Sequence, residues 1–407
     1  MNLKNIIIVN DYSFVEGGAS NVALRSAIEL KKCGYNVTLF SAVGPPMEEL
    51  KRYGVSVITT KQHDILNNTN RVQAMIQGIW NIKAAKRFSE LLKDYDKDST
   101  IIHLHLWCKA LSSSIIRVAI KRKYKIVQTL HDYFTVCPNG GLYNYNTQEI
   151  CRVKPMSRKC IFCNCDSRHY YHKIWRIIRQ IYQKRKGLMP SSVKDYIYIS
   201  EMSKQILEDH LPKNSKFYYV RNPIDISKEE KVDVIKNNTF LYVGRLSKEK
   251  GVLLLAQAAK ELHRRIIFVG DGELKEQIKR IYPEAKITGW LDKDEINKYL
   301  NKARALIFPS LWYETLGMTA LEAKAKGIPV VVSDMCTARD VIKDNEEGLW
   351  FKRGNLQDLK DKMINILDDD LAYILSNNSY LEYWKEPYDN NNHLRELIKC
   401  YNIILKN

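Results

Sequence analysis

The chain of 407 residues carries 64 Lys and Arg against 46 Asp and Glu, a net charge of +18, and 45% of its residues are apolar. That composition excludes a disordered or fibrous chain and suits two domains of roughly 200 residues each, while the charge points to an anionic partner: nucleic acid, a phospholipid surface or phosphorylated substrates. The first apolar run is only Ile6 to Val9 and none elsewhere approaches the roughly 18 residues of a membrane span, so an intracellular protein is expected.

In chain order, "KNIIIVN" reads as a strand, "ASNVALRSAIELKKCG" as a helix and "YNVTLF" as a strand, followed by the strands "STIIHLH", "KIVQTLHD" and "DYIYIS" with helices between them. Polar, Gly-rich and Cys-rich sequence from about 133 to 166 interrupts the alternation and reads as an inserted loop. After it, "RHYYHKIWRIIRQIYQKRKG" has Tyr170, Ile174, Trp175, Ile178, Ile181 and Tyr182 at helical spacing beside Lys173, Arg176, Arg179, Lys184, Arg185 and Lys186. Such a helix either lies on anionic lipid or turns its apolar face to the core and its basic side to water.

A domain boundary is expected near "VRNPIDISKEEKVD", giving an N-terminal domain over 1–220 and a C-terminal one over 221–387. Beyond it the alternation is regular: strands "TFLYVG", "RIIFVG", "AKITG", "ALIFPS" and "IPVVVSD", with helices "KGVLLLAQAAKEL", "ELKEQIKRI", "DEINKYLNKA" and "GMTALEAKAKG" between them. Strands apolar without alternation and separated by helices require a parallel sheet covered on both faces. The tail over 388–407 reads as an amphipathic helix that packs back on the first domain.

Ligands of open α/β sheets bind outside the carboxyl ends of the strands. Three loops of the second domain qualify: "GRLSKEKG", "GDGE" and "SLWYETLG". The first offers Arg245 and Lys250 to a diphosphate, against a bland reading as two solvated charges. The third places Gly317 to Thr319 in the first turn of a helix, whose unpaired amides and positive dipole end suit a phosphate. Glu314 can reach a sugar's hydroxyls and Glu322 a ribose; the alternative makes Glu314 a helix cap and Glu322 a surface residue.

With seven residues between Glu314 and Glu322, "PSLWYETLGMTALEA" resembles the E-x7-E motif of retaining glycosyltransferases of family 4, which have the GT-B fold. "YVGRLSKEKG" is similar to that family's phosphate loop, "FVGDGEL" to its V-G-x-G-x-L turn, and "VRNPID" to its entry into the second domain. "EGGAS" and "TLHDY" resemble its glycine-rich first loop and its His-Asp strand end. The resemblance implies two Rossmann-like doubly wound domains facing across a cleft. It implies donor contacts from Arg245 and Lys250, from the backbone of Gly17, Gly18, Gly270 and Leu316, Gly317, Met318 and Thr319, and from Glu322 at the ribose. Glu314 and His131 are then the catalytic pair, at the transferred sugar and near the reacting carbon. The partners implied are a UDP- or GDP-sugar and a saccharide acceptor, lipid-linked and on the cytoplasmic face of an anionic membrane, with no nucleic acid. Thr315 and Leu316 depart from the Gly-Phe or Asn-Phe that usually follows the first glutamate, and Asp340 stands where many members have a glutamate, which bears on donor identity.

No cofactor is required for that chemistry. Cys137, Cys151, Cys160 and Cys163, with the ligand-like pair "CIFC", read as a structural zinc site or as unligated loop thiols. The Asp-x-Asp strings at Asp94–Asp98 and Asp292–Asp294 lie in helix-flanking turns, and "GDGELK" has too few glycines for a dinucleotide fingerprint. The rival functions are a nucleotide-sugar epimerase or hydrolase on the same fold, and a zinc-stabilised nucleic-acid-binding protein.

Overall fold

The structure, a computed structural model, describes residues 2–406. Contacts divide the chain into two compact units. One runs through Gly141 and adds Arg152–Pro223 and the stretch from Asn390; the other comprises Leu142–Cys151 and Ile224–Asp389.

The first unit is built on β1 (Asn5–Val9), β2 (Asn36–Ser41), β3 (Ser56–Thr59), β4 (Thr100–Leu104) and β5 (Lys125–Thr129). After a hairpin of β6 (Tyr143–Asn144) and β7 (Glu149–Ile150), which belongs to the second unit, it resumes with β8 (Asp195–Tyr198) and β9 (Lys216–Tyr219). Its helices are α1 (Gly18–Lys32), α2 (Glu48–Arg52), α3 (Arg71–Ile79), α4 (Ile82–Leu91), α5 (Ser114–Lys121), α6 (Arg158–Phe162), α7 (Tyr170–Arg185) and α8 (Glu201–Glu208). The seven strands are parallel in the order β3-β2-β1-β4-β5-β8-β9. Ile6, Ile7, Ile8 and Val9 are all fully buried, as a strand covered on both faces must be.

The second unit repeats the plan with β10 (Thr239–Val243), β11 (Ile266–Val269), β12 (Lys286–Ile287), β13 (Ala303–Phe308), β14 (Val330–Ser333) and β15 (Gly348–Phe351). Between and after them lie α9 (Val252–Glu261), α10 (Lys275–Ile281), α11 (Lys293–Leu300), α12 (Met318–Ala325), α13 (Leu356–Asn365) and α14 (Asp369–Lys385). The parallel order is β12-β11-β10-β13-β14-β15. Strand order reverses between β1 and β4 in one unit and between β10 and β13 in the other, so each sheet has one switch point at which ligands bind.

The last helix, α15 (Asn390–Lys406), belongs to the first unit and buries Leu394, Leu397, Tyr401, Ile404 and Leu405 in its core. The segment read as an inserted loop is interior in its first part, with Tyr133 and Tyr143 among the most buried side chains of the chain, and mostly at the surface after Tyr143. Strands β3, β9 and β15 escaped the sequence reading. Both Asp-x-Asp strings are structural: Asp96 accepts from Asp98 N and the Ser99 hydroxyl, and Asp292 forms a capping box with Glu295 at the start of α11.

Candidate active site

Three loops of the second unit meet at the carboxyl ends of β10, β11 and β13. Leu246 N donates to Asp271 O at 2.9 Å, Leu274 N to Leu246 O at 3.1 Å, and Leu311 N to Glu249 O at 2.8 Å. Two glycines make this contact close enough. A Cβ on Gly251, which has φ +69°, would stand 2.0 Å from Pro309 O, and one on Gly270 would stand 2.0 Å from Gly244 O. Hence the loops after β10, β11 and β13 behave as one body.

On that body Lys250 Nζ lies 2.7 Å from Glu314 Oε1, and the Ser310 hydroxyl bonds the same oxygen. Glu314 is almost fully buried. The sequence reading treated Lys250 and Glu314 as separate arms, one for the diphosphate and one for the sugar; the structure joins them. Arg245 is exposed at the exit of β10, its carbonyl accepting from the Tyr242 hydroxyl at 2.8 Å.

Helix α12 begins at Met318 with Gly317 as its cap, and no side chain caps it. Glu314 therefore does not serve as the helix cap, and the amides of the first turn, at Met318 and Thr319, face the mouth unclaimed by a side chain. Leu316, just before it, is nearly buried. Glu322 lies in the second turn, and burial pushes its carboxyl up to about 7, with Lys293 opposing and Asp225 reinforcing the shift. Lys293 and Asp225 themselves pair at 2.9 Å. Asp340, at the end of a short turn after β14, is exposed.

In the first unit, Gly17 caps α1 with nothing within 4 Å of where a Cβ would be, so the helix mouth that Gly18 opens is clear. His131 follows β5 and is buried; its Nε2 lies 2.8 Å from His105 Nδ1, with the rings stacked 5.0 Å apart. Burial, reinforced by His393, pushes His131 down to about 3, so the imidazole is neutral at physiological pH. Sequence reasoning missed His105, although "HLH" carried the signal: residues two apart on a strand share a face, and the His103 and His105 rings meet at 4.0 Å, tilted by 42°. It also missed Asp11, buried after β1, which accepts from the amides of Lys109, Ala110 and Leu111, and Ser310.

The cysteines need a correction. Among the described residues no three His, Cys, Asp or Glu side chains converge as a group able to hold a metal ion, so the zinc centre expected from Cys137, Cys151, Cys160 and Cys163 is not assembled. Cys151 falls in the hairpin assigned to the second unit. Cys160 instead faces the buried Lys173 ammonium at 3.7 Å, and Cys165, absent from the expected set, faces it at 3.2 Å. Burial pushes the Cys165 thiol up to about 12 despite that ammonium.

Residues 16–228 match the family described as Glycosyltransferase Family 4, and residues 224–383 match Glycosyl transferases group 1. The sulfoquinovosyl transferase SQD2 of Arabidopsis thaliana is 33% identical over 135 residues, which are 32% of this chain and 26% of that protein. The Escherichia coli UDP-Gal:alpha-D-GlcNAc-diphosphoundecaprenol alpha-1,3-galactosyltransferase is 26% identical over 40% of this chain and 48% of its own length. Matches to these curated relatives thus span about a quarter to a half of them. Among solved structures, a glycosyltransferase from Rickettsia africae ESF-5 superposes with TM-score 0.67 over 100% of both chains at 20% identity. Sucrose-phosphate synthase from Thermosynechococcus elongatus gives 0.73 over 99% of both at 16% identity. These two likenesses establish the GT-B fold, and the profile covering more than half of the chain establishes its kinship: the protein belongs to glycosyltransferase family 4.

Proposed function

We propose that the protein transfers a sugar from a UDP- or GDP-sugar to a saccharide acceptor carried on a lipid, with retention of anomeric configuration. The observation that carries this is the glycine-docked loop body holding Lys250, Glu314 and Ser310 together beside the uncapped mouth of α12. Transfer breaks the bond between the anomeric carbon and the diphosphate oxygen and leaves charge on the diphosphate. Arg245, Lys250 and the α12 amides supply the positive charge and donors to take that charge, so the step needs no metal ion. Lys250 reaches the phosphates by exchanging part of its contact with Glu314, which frees that carboxylate for the sugar's hydroxyls.

Given to the sugar's hydroxyls and still held by Ser310, Glu314 makes a poor nucleophile. We therefore favour attack by the acceptor oxygen on the face the leaving group vacates, its proton passing to the departing phosphate. His131, neutral, accepts or donates one hydrogen bond near the reacting carbon. Glu322 binds the ribose.

No helix among the described residues is long and apolar enough to cross a membrane. Contact with an anionic cytoplasmic leaflet would come through the surface of α7, where Ile174 and Ile178 are exposed. Incubation with a panel of labelled nucleotide sugars and membrane lipid tests the reading: label is expected in a glycolipid, unaffected by a chelator. Arg245→Ala should lower the rate about 100-fold. Full activity of that variant would overturn the assignment.

A further inference from the structure

Helix α7 buries four polar side chains and, of its apolar ones, only Ile177. Lys173, Arg179, Gln180 and Gln183 are buried, whereas Tyr171, Ile174 and Ile178 are 63%, 46% and 41% exposed. The buried face has its partners beneath it: Lys173 on the two thiols, and the Gln180 and Gln183 amides on Thr135 O at 3.2 and 3.0 Å. Helix α3 packs alongside through Trp175 Nε1 to Met75 O at 3.2 Å, and it too exposes apolar side chains, Val72, Met75 and Ile76. The two helices therefore offer water a continuous apolar face, which a protein surface normally avoids.

Beside that face opens a cavity of about 600 Å³. Arg71, Lys109, Arg168, Arg176 and Arg179 line it, against the single carboxylate of Asp64. Asp64 is already engaged by the amides of Leu66 and Asn67, the Asn67 side chain and the Tyr12 hydroxyl. Arg176 is neutralised by Asp166 at 3.1 Å. Arg179 makes no such contact pair: its buried guanidinium reaches the carbonyls of Cys108 and Pro138 and the rings of Phe134 and Trp175, its Nε has no hydrogen-bond partner, and the carboxylates of Asp132 and Asp11 act on it only from beyond contact distance. A buried cation whose carboxylates stand beyond contact still gains from an anion that joins it directly.

We infer that this cavity receives the phosphate or diphosphate head of one long-chain lipid, whose hydrocarbon chain lies along the apolar face of α3 and α7. The inference rests on the proposed lipid-carried acceptor and assigns its anchor to named residues. Charge complementarity selects the head, and the adjoining apolar face selects a lipid over a free anion.

Farnesyl diphosphate, inorganic pyrophosphate and farnesol, each titrated into the full-length protein by calorimetry, test it. Farnesyl diphosphate should bind at least about tenfold more tightly than either fragment. Arg168→Ser and Ile174→Asp, both at exposed positions, should keep the melting temperature and each weaken farnesyl diphosphate about tenfold. Only Arg168→Ser of the two should weaken pyrophosphate, each titration being run with saturating UDP and GDP so that the diphosphate site at Arg245 and Lys250 is already filled. Pyrophosphate binding as tightly as farnesyl diphosphate, variants that bind like the wild type, or a dimer in sedimentation that Ile174→Asp dissolves would each overturn the inference. Wild-type turnover of nucleotide sugar onto a soluble saccharide separates the two claims. Turnover without the lipid affinity removes the anchor site alone, whereas the affinity without turnover supports the site and removes the transferase reading.

Discussion

Lys250 and Glu314 stand 64 positions apart in sequence and 2.7 Å apart in space, and both are largely withdrawn from solvent. For such a pair the desolvation of each charge offsets much of the attraction, so breaking it from one side is worse than removing it altogether. Lys250→Met leaves Glu314 with Ser310 as partner and should lower unfolding free energy by about 3 kcal/mol. The double variant with Glu314→Gln should recover at least half of that loss, measured by urea denaturation. Additive losses would show that the two groups do not communicate. Glu322 makes a prediction of opposite character. Its folded value, about 7, lies above the ordinary glutamate value of 4.5, so the native state holds the proton more tightly than the unfolded state does. The stability this confers is fully present below about 4.5 and is lost as pH rises through about 7. Glu322→Gln cannot ionise; its melting temperature should match the wild type at pH 4.5 and exceed it by about 3 °C at pH 8. Equal melting at both pH values would mean that the carboxylate is solvated in the native state.

At the scale of elements, strands were legible where an apolar run has both faces covered: "IIIV", "TFLYV" and "ALIF" became β1, β10 and β13 within a residue or two. The site loops followed, because a glycine or charged cluster directly after such a run lies at a strand's carboxyl end. Helix α7 was legible as a helix but not in orientation. Periodicity shows two faces; which one is buried depends on Cys108, Thr135, Cys160 and Cys165, placed by other elements. The cysteine spacing left a zinc site and unligated thiols both open for a similar reason, since only the fold shows that the Lys173 ammonium of α7 lies against Cys160 and Cys165. Glycine roles were likewise half readable: composition marks a turn, while only packing tells whether a side chain would fit. Gly251→Ala should cost about 3 kcal/mol in chemical denaturation, because its Cβ would push Pro309 and separate the loops after β10 and β13. Gly289→Ala, also at positive φ but with open space around it, should cost only about 1 kcal/mol. Equal losses would mean that the loop body gives way easily.

For the whole molecule, the chain returns after Asp389 to complete the first unit, and α15 does more there than cover apolar surface. His393 Nε2 meets the Ser26 hydroxyl of α1 at 2.7 Å, Glu396 pairs with Arg221 at 3.2 Å, and the Tyr401 hydroxyl reaches His103 Nδ1 on β4 at 2.7 Å. His103 Nε2 in turn meets the Thr129 hydroxyl on β5, and the His103 ring lies against that of His105, the hydrogen-bond partner of His131. The last helix thus sets one end of a buried polar row whose other end is a candidate catalytic histidine, and breaking a contact within it strands a polar atom that water cannot reach. Truncation after Asp389 removes six buried side chains of this core together with those three contacts. It should leave the first unit unfolded in limited proteolysis while fragments of Ile224–Asp389, which keep their own core, resist. Tyr401→Phe isolates the polar part. It keeps the ring and strands one nitrogen of His103, so stability should fall by about 1 to 2 kcal/mol. If the row orients His131, sugar transfer should slow in the same variant with donor affinity unchanged; a loss of stability with an unaltered turnover number would confine α15 to a structural role.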